Sequence, residues 1–423
     1  MEVEPLLAVG PSSAKALPDS DPVLVEQLKA EIARSGPITF ARFMAVALTD
    51  PDRGYYATTD DRPTRSGDFL TAPELHPVFG ATLARALEAL WRAIGAPDPF
   101  DLVEFGAGSG QLALDILHGL RDRSADLLEA LRYRPIEVVP RRGAAINERL
   151  AAAGFERQLA PPASVQPGPP ASVQPDPEPV QPDPTPEARV GIALANEFLD
   201  ALPVHRVEQT PDGLVELNVD WSDAAAGFIE VGGPPSSPNL AARLAEEGIV
   251  LEPGQRAEIC LELDRWADEL TTSVDRGLAL VIDYGDAAAS LYGGARPRGT
   301  LLAYAGHRVH EDVFAAIGRQ DVTAHVDFSA VTAAAERRGW HRSGMTTQAS
   351  FLVAAGLQGE LQTRRSDPMA TAQDYLALRS AVGRLLDPRV LGGFRVLGLE
   401  RGVASSGGES PVATWWAAVA PVG

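Results

Sequence analysis

The stretch DLVEFGAGSGQLALD, residues 101–115, decides the fold. Leu102, Val103 and Phe105 make a short apolar run of the kind a buried parallel strand needs. Gly106, Gly108 and Gly110 follow as G-x-G-x-G, and QLALDIL then reads as the opening of a helix. Glycine lets the backbone turn tightly and lets a ligand approach without meeting a Cβ. The free N–H groups of the new helix point back at that ligand. A strand, a glycine turn and a helix in this order form a nucleotide- or nucleoside-binding element.

A dinucleotide fold needs its third glycine at position 111, which here is Gln111. That departure disfavours a nicotinamide oxidoreductase. The spacing, with Glu104 just ahead of the first glycine, is that of a loop that binds S-adenosylmethionine. Glu104, Gly106, Gly108 and Gly110 are therefore expected cofactor-binding residues. The second strand, Tyr133 to Val139, carries Glu137 near its end. Taken alone, Glu137 reads as a surface residue. Its place after a glycine loop points to the ribose hydroxyls, which an acidic residue at this position accepts hydrogen bonds from.

Further along, Gly191 to Ala195 is a strand of small and branched residues that runs into Asn196-Glu197-Phe198-Leu199-Asp200. Leu278 to Asp283 is another buried strand, ending Asp283-Tyr284-Gly285. Three apolar strands thus each end in an acidic residue: Glu104, Glu197 and Asp283. In open α/β sheets ligands lie outside the carboxyl ends of the strands. Strands alternating with helices predict an α/β fold with a doubly wound, mostly parallel sheet. Residues 204–232 alternate as a β-hairpin excursion, and a helix is expected over 255–274. Ahead of the glycine loop, helices are expected from Val23 to a Gly36 cap, from Thr39 to a stop at Pro51, and over His76–Trp91. The tail offers helices over 350–364 and 371–386. FRVLGL and PVATWWAAVA are two candidate edge strands.

Residues 1–22 read as a flexible lead-in, 23–95 as a helical N-terminal cap, and 96–423 as the catalytic domain. Two insertions interrupt that domain. Residues 204–277 separate its fourth and fifth strands, 191–195 and 278–283. Residues 161–187 repeat ASVQP and VQPDP; such proline-rich sequence cannot bury enough surface to offset its ordering entropy, so disorder is expected. The chain of 423 residues has a formal net charge of −20, which opposes nucleic-acid binding because phosphate contacts need a basic face. Cys260 is the single cysteine, and the histidines show no ligand spacing, so no metal site is expected. His307 and His325 read as structural histidines. No apolar run is long enough for a membrane span. The start, MEVEPLLAVGPSS, is acidic, without the basic region of a secretory signal or a transit peptide, and predicts a cytoplasmic protein.

Several segments together resemble one family: GPITFARFMAVALTDPDRGYY (36–56), GDFLTAPELHPVFG (67–80), LVEFGAGSGQLALDIL (102–117), ALANEFLDALPVHRV (193–207), VIDYG (281–285), GTLLAY (299–304) and DVTAHVDFSAV (321–331). They are similar to the MidA-like family of S-adenosylmethionine-dependent methyltransferases, typified by the mitochondrial complex I assembly arginine methyltransferase. The family usually has Pro, Arg and Thr where this chain has Ala107, Ser109 and Gln111, Ser where it has Val139, and Phe where it has Leu199. The resemblance implies a class I, Rossmann-like methyltransferase fold, S-adenosyl-L-methionine as cofactor, and a protein-arginine substrate, with a respiratory complex I subunit as one candidate. Homodimerisation is left open. A guanidinium carries a forked set of donors that paired carboxylates can grip. Glu197 and Asp200 are the expected catalytic residues, Asn196 joins the cofactor-binding set, and Asp68, Glu74 and Asp283 are expected to contact substrate. A cofactor-binding assembly factor that transfers no methyl group is the alternative.

Overall fold

The structure, a computed structural model, describes residues 17–58, 71–160, 188–294, 296–306, 308–403 and 411–419. Asp68, His307 and the 161–187 run lie outside these residues.

The main sheet has six strands in the order His341–Thr347, Arg395–Arg401, Arg276–Asp283, Val190–Asn196, Phe100–Phe105, Leu131–Ile136. The last four are parallel, and Arg395–Arg401 runs antiparallel to both of its neighbours. Phe100–Phe105 lies between the strand that follows it in the chain and the later Val190–Asn196. The winding reverses there, which opens a crevice at the carboxyl ends of these strands.

Both faces of this sheet are buried, and alternation along each strand divides the residues between them. Leu278, Leu280 and Ile282 share one core with Phe79, Leu83 and Leu87 of the Val78–Ala93 helix and with Leu112 and Ile116 of Gln111–Arg123. Ala279 and Val281 face the other core, with Trp266 and Leu270 of Leu263–Ser273 and Phe328 and Val331 of Phe328–Glu336.

A second, antiparallel sheet contains the expected excursion. Gly213–Ser222 pairs with His205–Thr210, Gly227–Gly233 and the short Ile38–Thr39 strand, and His205–Thr210 pairs with Arg256–Ile259. The helix expected from residue 255 therefore begins only at Leu263. Arg256–Ile259 alternates instead: Ala257 and Ile259 enter a small core, while Arg256 pairs with Glu208 and Glu230. The N-terminal helices Pro22–Ser35 and Phe40–Thr49 are capped by Asp21 and Thr39, and their Leu24, Leu28, Phe40 and Phe43 pack with Ala303, Val313, Ile317 and Val322. No described helix is long and apolar enough to cross a membrane.

The expected edge strand at PVATWWAAVA is corrected to a helix, Pro411–Val419. Its Trp416 is 1% exposed and lies on Gly344 of the edge strand and Gly398 of the strand beside it. A Cβ at Gly398 would stand 2.3 Å from the indole Nε1. The two glycines leave a trough in the sheet face, and the indole fills it from a helix laid across that face.

Candidate active site

The glycine loop closes the Phe100–Phe105 strand. Gly106, Gly108 and Gly110 all have left-handed φ, at 66°, 56° and 72°. A Cβ on Gly106 would come within 2.6 Å of the Phe198 ring, and one on Gly110 within 3.0 Å of Ile146. One on Gly108 would meet nothing nearer than the Gly106 carbonyl oxygen at 3.8 Å. The loop is thus packed at its ends and open in its middle. Arg149, from the Pro140–Ala152 helix, donates to Ser109 O at 2.7 Å and to Gln111 Oε1, while Gln111 Nε2 donates to Asp115 Oδ1 at 2.8 Å. Gln111 therefore belongs to the loop's support.

Glu137 follows the Leu131–Ile136 strand, and its Oε2 accepts the Gly108 N–H at 3.0 Å. Val138 beside it is half-exposed. Glu104, expected to touch the cofactor, is 4% exposed, and its Oε2 accepts the Tyr133 hydroxyl at 2.6 Å. Burial pushes its carboxyl up to about 7 against the pull of that bond.

The Val190–Asn196 strand delivers the acidic group. Glu197 has φ 50°, a left-handed conformation that costs a non-glycine residue on the order of 1–3 kcal/mol. Its N–H donates to Ile282 O at 2.8 Å. Glu197 Oε1 accepts the Ala72 N–H at 2.9 Å and Asn196 Nδ2 at 3.3 Å. Ala72 opens the short Ala72–Leu75 helix, whose Glu74 reaches back to the Thr71 N–H at 3.4 Å and adds negative charge near Glu197. Three buried acceptors in this segment have no partner: Asn196 Oδ1, Glu197 Oε2 and Asp200 Oδ1. Burial, with Asp200 close by, pushes Glu197 up to about 8. Burial raises Asp200 to about 6, while the nearby Tyr284 hydroxyl holds it down.

Asp283, expected to contact substrate, has neither oxygen free for one. Oδ2 accepts the N–H groups of Phe198, Leu199 and Asp200 at 3.2, 3.0 and 3.3 Å, and Oδ1 accepts that of Tyr284 at 2.9 Å. The residue is fully buried. The strand ends abreast of Asn196, which brings its carboxylate under the turn.

Sequence reasoning missed a ring of tyrosines around Asp200. The Tyr284 hydroxyl lies near enough to lower its pKa, and burial, with Asp200 among the nearby carboxylates, raises the hydroxyl pKa values of Tyr56 and Tyr304. Tyr56 donates to Asp321 Oδ1 at 2.9 Å. The Arg142 guanidinium lies 6.0 Å from the centre of the Tyr56 ring. The available signal was that Tyr56, Tyr284 and Tyr304 each fall in a separate family-like segment. His325 packs edge-on against Tyr284 at 5.3 Å, and burial lowers it to about 4, so it is neutral there. Asp68 lies outside the described residues.

The site fits S-adenosylmethionine. The Gln111–Arg123 helix opens on Gly110 with no side-chain cap, so its first-turn N–H groups face the crevice. The open middle of the glycine loop leaves room for the ligand to approach at Gly108.

Comparison with known proteins agrees. Residues 82–346 match the family of S-adenosyl-L-methionine-dependent methyltransferases. The protein arginine methyltransferase NDUFAF7 homolog, mitochondrial, of Drosophila melanogaster is 32% identical over 392 residues, covering 90% of this chain and 86% of its own length. Its human counterpart, protein arginine methyltransferase NDUFAF7, mitochondrial, is 29% identical over 89% of this chain and 83% of its own. A Burkholderia thailandensis protein solved with S-adenosyl-homocysteine bound superposes with a TM-score of 0.76 at 32% identity, covering 92% of this chain and 96% of that one. The expected cytoplasmic location is corrected by these relatives, which are named as mitochondrial proteins; the acidic N-terminal sequence decides nothing about location. The sheet order, the glycine loop and these matches agree: the chain belongs to the S-adenosyl-L-methionine-dependent methyltransferases, with the class I fold and the cofactor of that family.

Proposed function

We propose that this enzyme methylates an arginine side chain of a protein, with Glu197 and Asp200 gripping the guanidinium. The observation that carries the reading is the set of buried, unpartnered acceptors at Asn196, Glu197 and Asp200. Buried acceptors are rarely left without donors, and a planar guanidinium offers five in a fork. The relatives named as protein arginine methyltransferases support the same substrate class. Bound S-adenosylmethionine supplies an electrophilic methyl group on a sulfonium. Asp200 binds the cation as a carboxylate, with Tyr284 fixing its orientation. Glu197 holds a proton near neutrality in the empty site and ionises as the guanidinium arrives. Glu197 Oε2 would take the proton that the attacking nitrogen loses as its bond to the methyl carbon replaces the S–C bond of the sulfonium, which leaves S-adenosylhomocysteine. Asn196 and Glu137 would hold the cofactor, and Glu74 would lie over the acceptor. We further infer a respiratory-complex subunit as the acceptor, and a homodimer as the working form.

The test is labelled methyl transfer from S-adenosylmethionine into an extract of cells lacking the enzyme, followed by mass spectrometry. Methyl-arginine on a respiratory-complex subunit is expected. Label on lysine or on small molecules alone would overturn the arginine assignment. Cofactor binding with no transfer would favour an assembly factor. Light scattering of the purified enzyme tests the dimer.

A further inference from the structure

We propose that Asp283 is a positioning residue for methyl transfer, acting through Glu197. This rests on the reading of Glu197 as the carboxylate that grips the acceptor.

Glu197 sits in a backbone conformation that a glutamate leaves when free to do so. The turn is fixed from both ends. Ile282 O takes the Glu197 N–H, and the next three N–H groups, of Phe198, Leu199 and Asp200, all converge on Asp283 Oδ2. One carboxylate oxygen thus pins the segment that carries both gripping residues. Its second oxygen takes the Tyr284 N–H at 2.9 Å. The same carboxylate therefore fixes the backbone under both Glu197 and Asp200. A carboxylate accepts all four donors, whereas an asparagine in its place must turn its own N–H toward one of them. The turn then loosens and Glu197 relaxes toward an ordinary conformation.

The proposal separates from a merely structural role through a double-mutant cycle. Asp283→Asn, Glu197→Gln and the pair are made in the full-length enzyme. Transfer to the extract described above is measured beside S-adenosyl-homocysteine affinity and melting temperature. Asp283→Asn is expected to lower the transfer rate about tenfold, on the scale of one charge-assisted hydrogen bond, and to leave cofactor affinity within about threefold. In the Glu197→Gln background the further loss should be much smaller, since only the part that acts through Asp200 is left, and Asp283→Glu should recover part of the rate. Equal losses from Asp283→Asn with and without Glu197→Gln would overturn the proposal, as would a wild-type rate in Asp283→Asn. If Asp283→Asn does not fold, Asp283→Ser, which keeps a single short acceptor, carries the same cycle with the same outcomes. Full activity in Glu197→Gln would instead overturn the underlying assignment of Glu197.

Discussion

The Ala72 N–H donates to Glu197 Oε1 at 2.9 Å across 125 positions of sequence. This bond joins the N-terminal segment to the end of a central strand. It occupies one oxygen of Glu197 and leaves the other unpartnered. The cap thus supplies a donor to the carboxylate that faces the crevice. A second tie runs from Tyr56 to Asp321 at 2.9 Å.

Glu197→Gln and Asp200→Asn are expected to bind S-adenosyl-homocysteine normally and to lose about ten- to a hundredfold in methyl transfer. Each removes a charge while keeping shape, and a hydrogen bond to a charged group contributes roughly 1.5–3 kcal/mol. Calorimetry and labelled transfer on the same preparations check both halves. Unchanged transfer in both variants would remove these carboxylates from the mechanism.

Gly108→Val is expected to abolish cofactor binding without unfolding the protein. A Cβ there enters the open middle of the loop and touches no protein atom closer than 3.8 Å, so the clash falls on the ligand. The left-handed φ of 56° adds a backbone cost of about 1–2 kcal/mol. The expected result is at least tenfold weaker binding, with a melting temperature lowered by only about 1–2 °C per kcal/mol in a chain of this length. Retained affinity would mean that the ligand does not cross the loop at Gly108.

Much of this was legible in the sequence because it is local. The strand ahead of Gly106, the loop and its helix occupy consecutive residues, and the buried strands show as apolar runs. The role of Asp283 was not legible, since its donors lie more than eighty positions away. The tyrosines around Asp200 come from three distant segments that only the fold brings together. PVATWWAAVA was misread because a short apolar run cannot by itself separate strand from buried helix. What decided it was a trough made by Gly344 and Gly398, residues on other strands.

Gly398→Ala is expected to destabilise the fold by about 1–3 kcal/mol, as overpacking a filled core does. The added methyl would meet the indole of Trp416 at 2.3 Å, and that ring is buried with little room to withdraw. Urea unfolding should show a lower midpoint with an unchanged slope. Combining Gly398→Ala with Trp416→Leu should cost less than the two separate losses together, because the smaller side chain relieves the clash.

Replacing residues 161–187 with a short Gly/Ser linker is expected to leave stability and cofactor affinity nearly unchanged. The segment holds almost no large apolar residue, and loop closure changes by only about 0.6 kcal/mol for each halving of length. Its flanks are anchored independently, with Ala160 N–H on Tyr133 O and the Val190–Asn196 strand beginning soon after. A melting temperature many degrees lower would show that the segment packs on the fold.

The raised pKa of Glu197 predicts how pH acts on both stability and function. Its carboxyl titrates near 8 in the folded protein against 4.5 as its ordinary value. Between these values the folded state holds a proton that the unfolded state has lost, so stability falls as pH rises. The contribution is greatest below pH about 4.5 and is lost progressively up to about 8, at a limiting slope of roughly 1.4 kcal/mol per pH unit. Glu197→Gln removes the titrating group, and should therefore melt higher than the wild type at pH 8 and lose that advantage at pH 4. Substrate acts in the opposite sense. A guanidinium favours the ionised carboxylate, so KM for the arginine acceptor should fall as pH rises from 6 toward 8, with little pH dependence left in Glu197→Gln. Melting curves and kinetics across this range give both readings. A wild type whose stability relative to Glu197→Gln rises with pH would show that Glu197 is ionised in the empty site, and that its free oxygen is satisfied by something other than the acceptor.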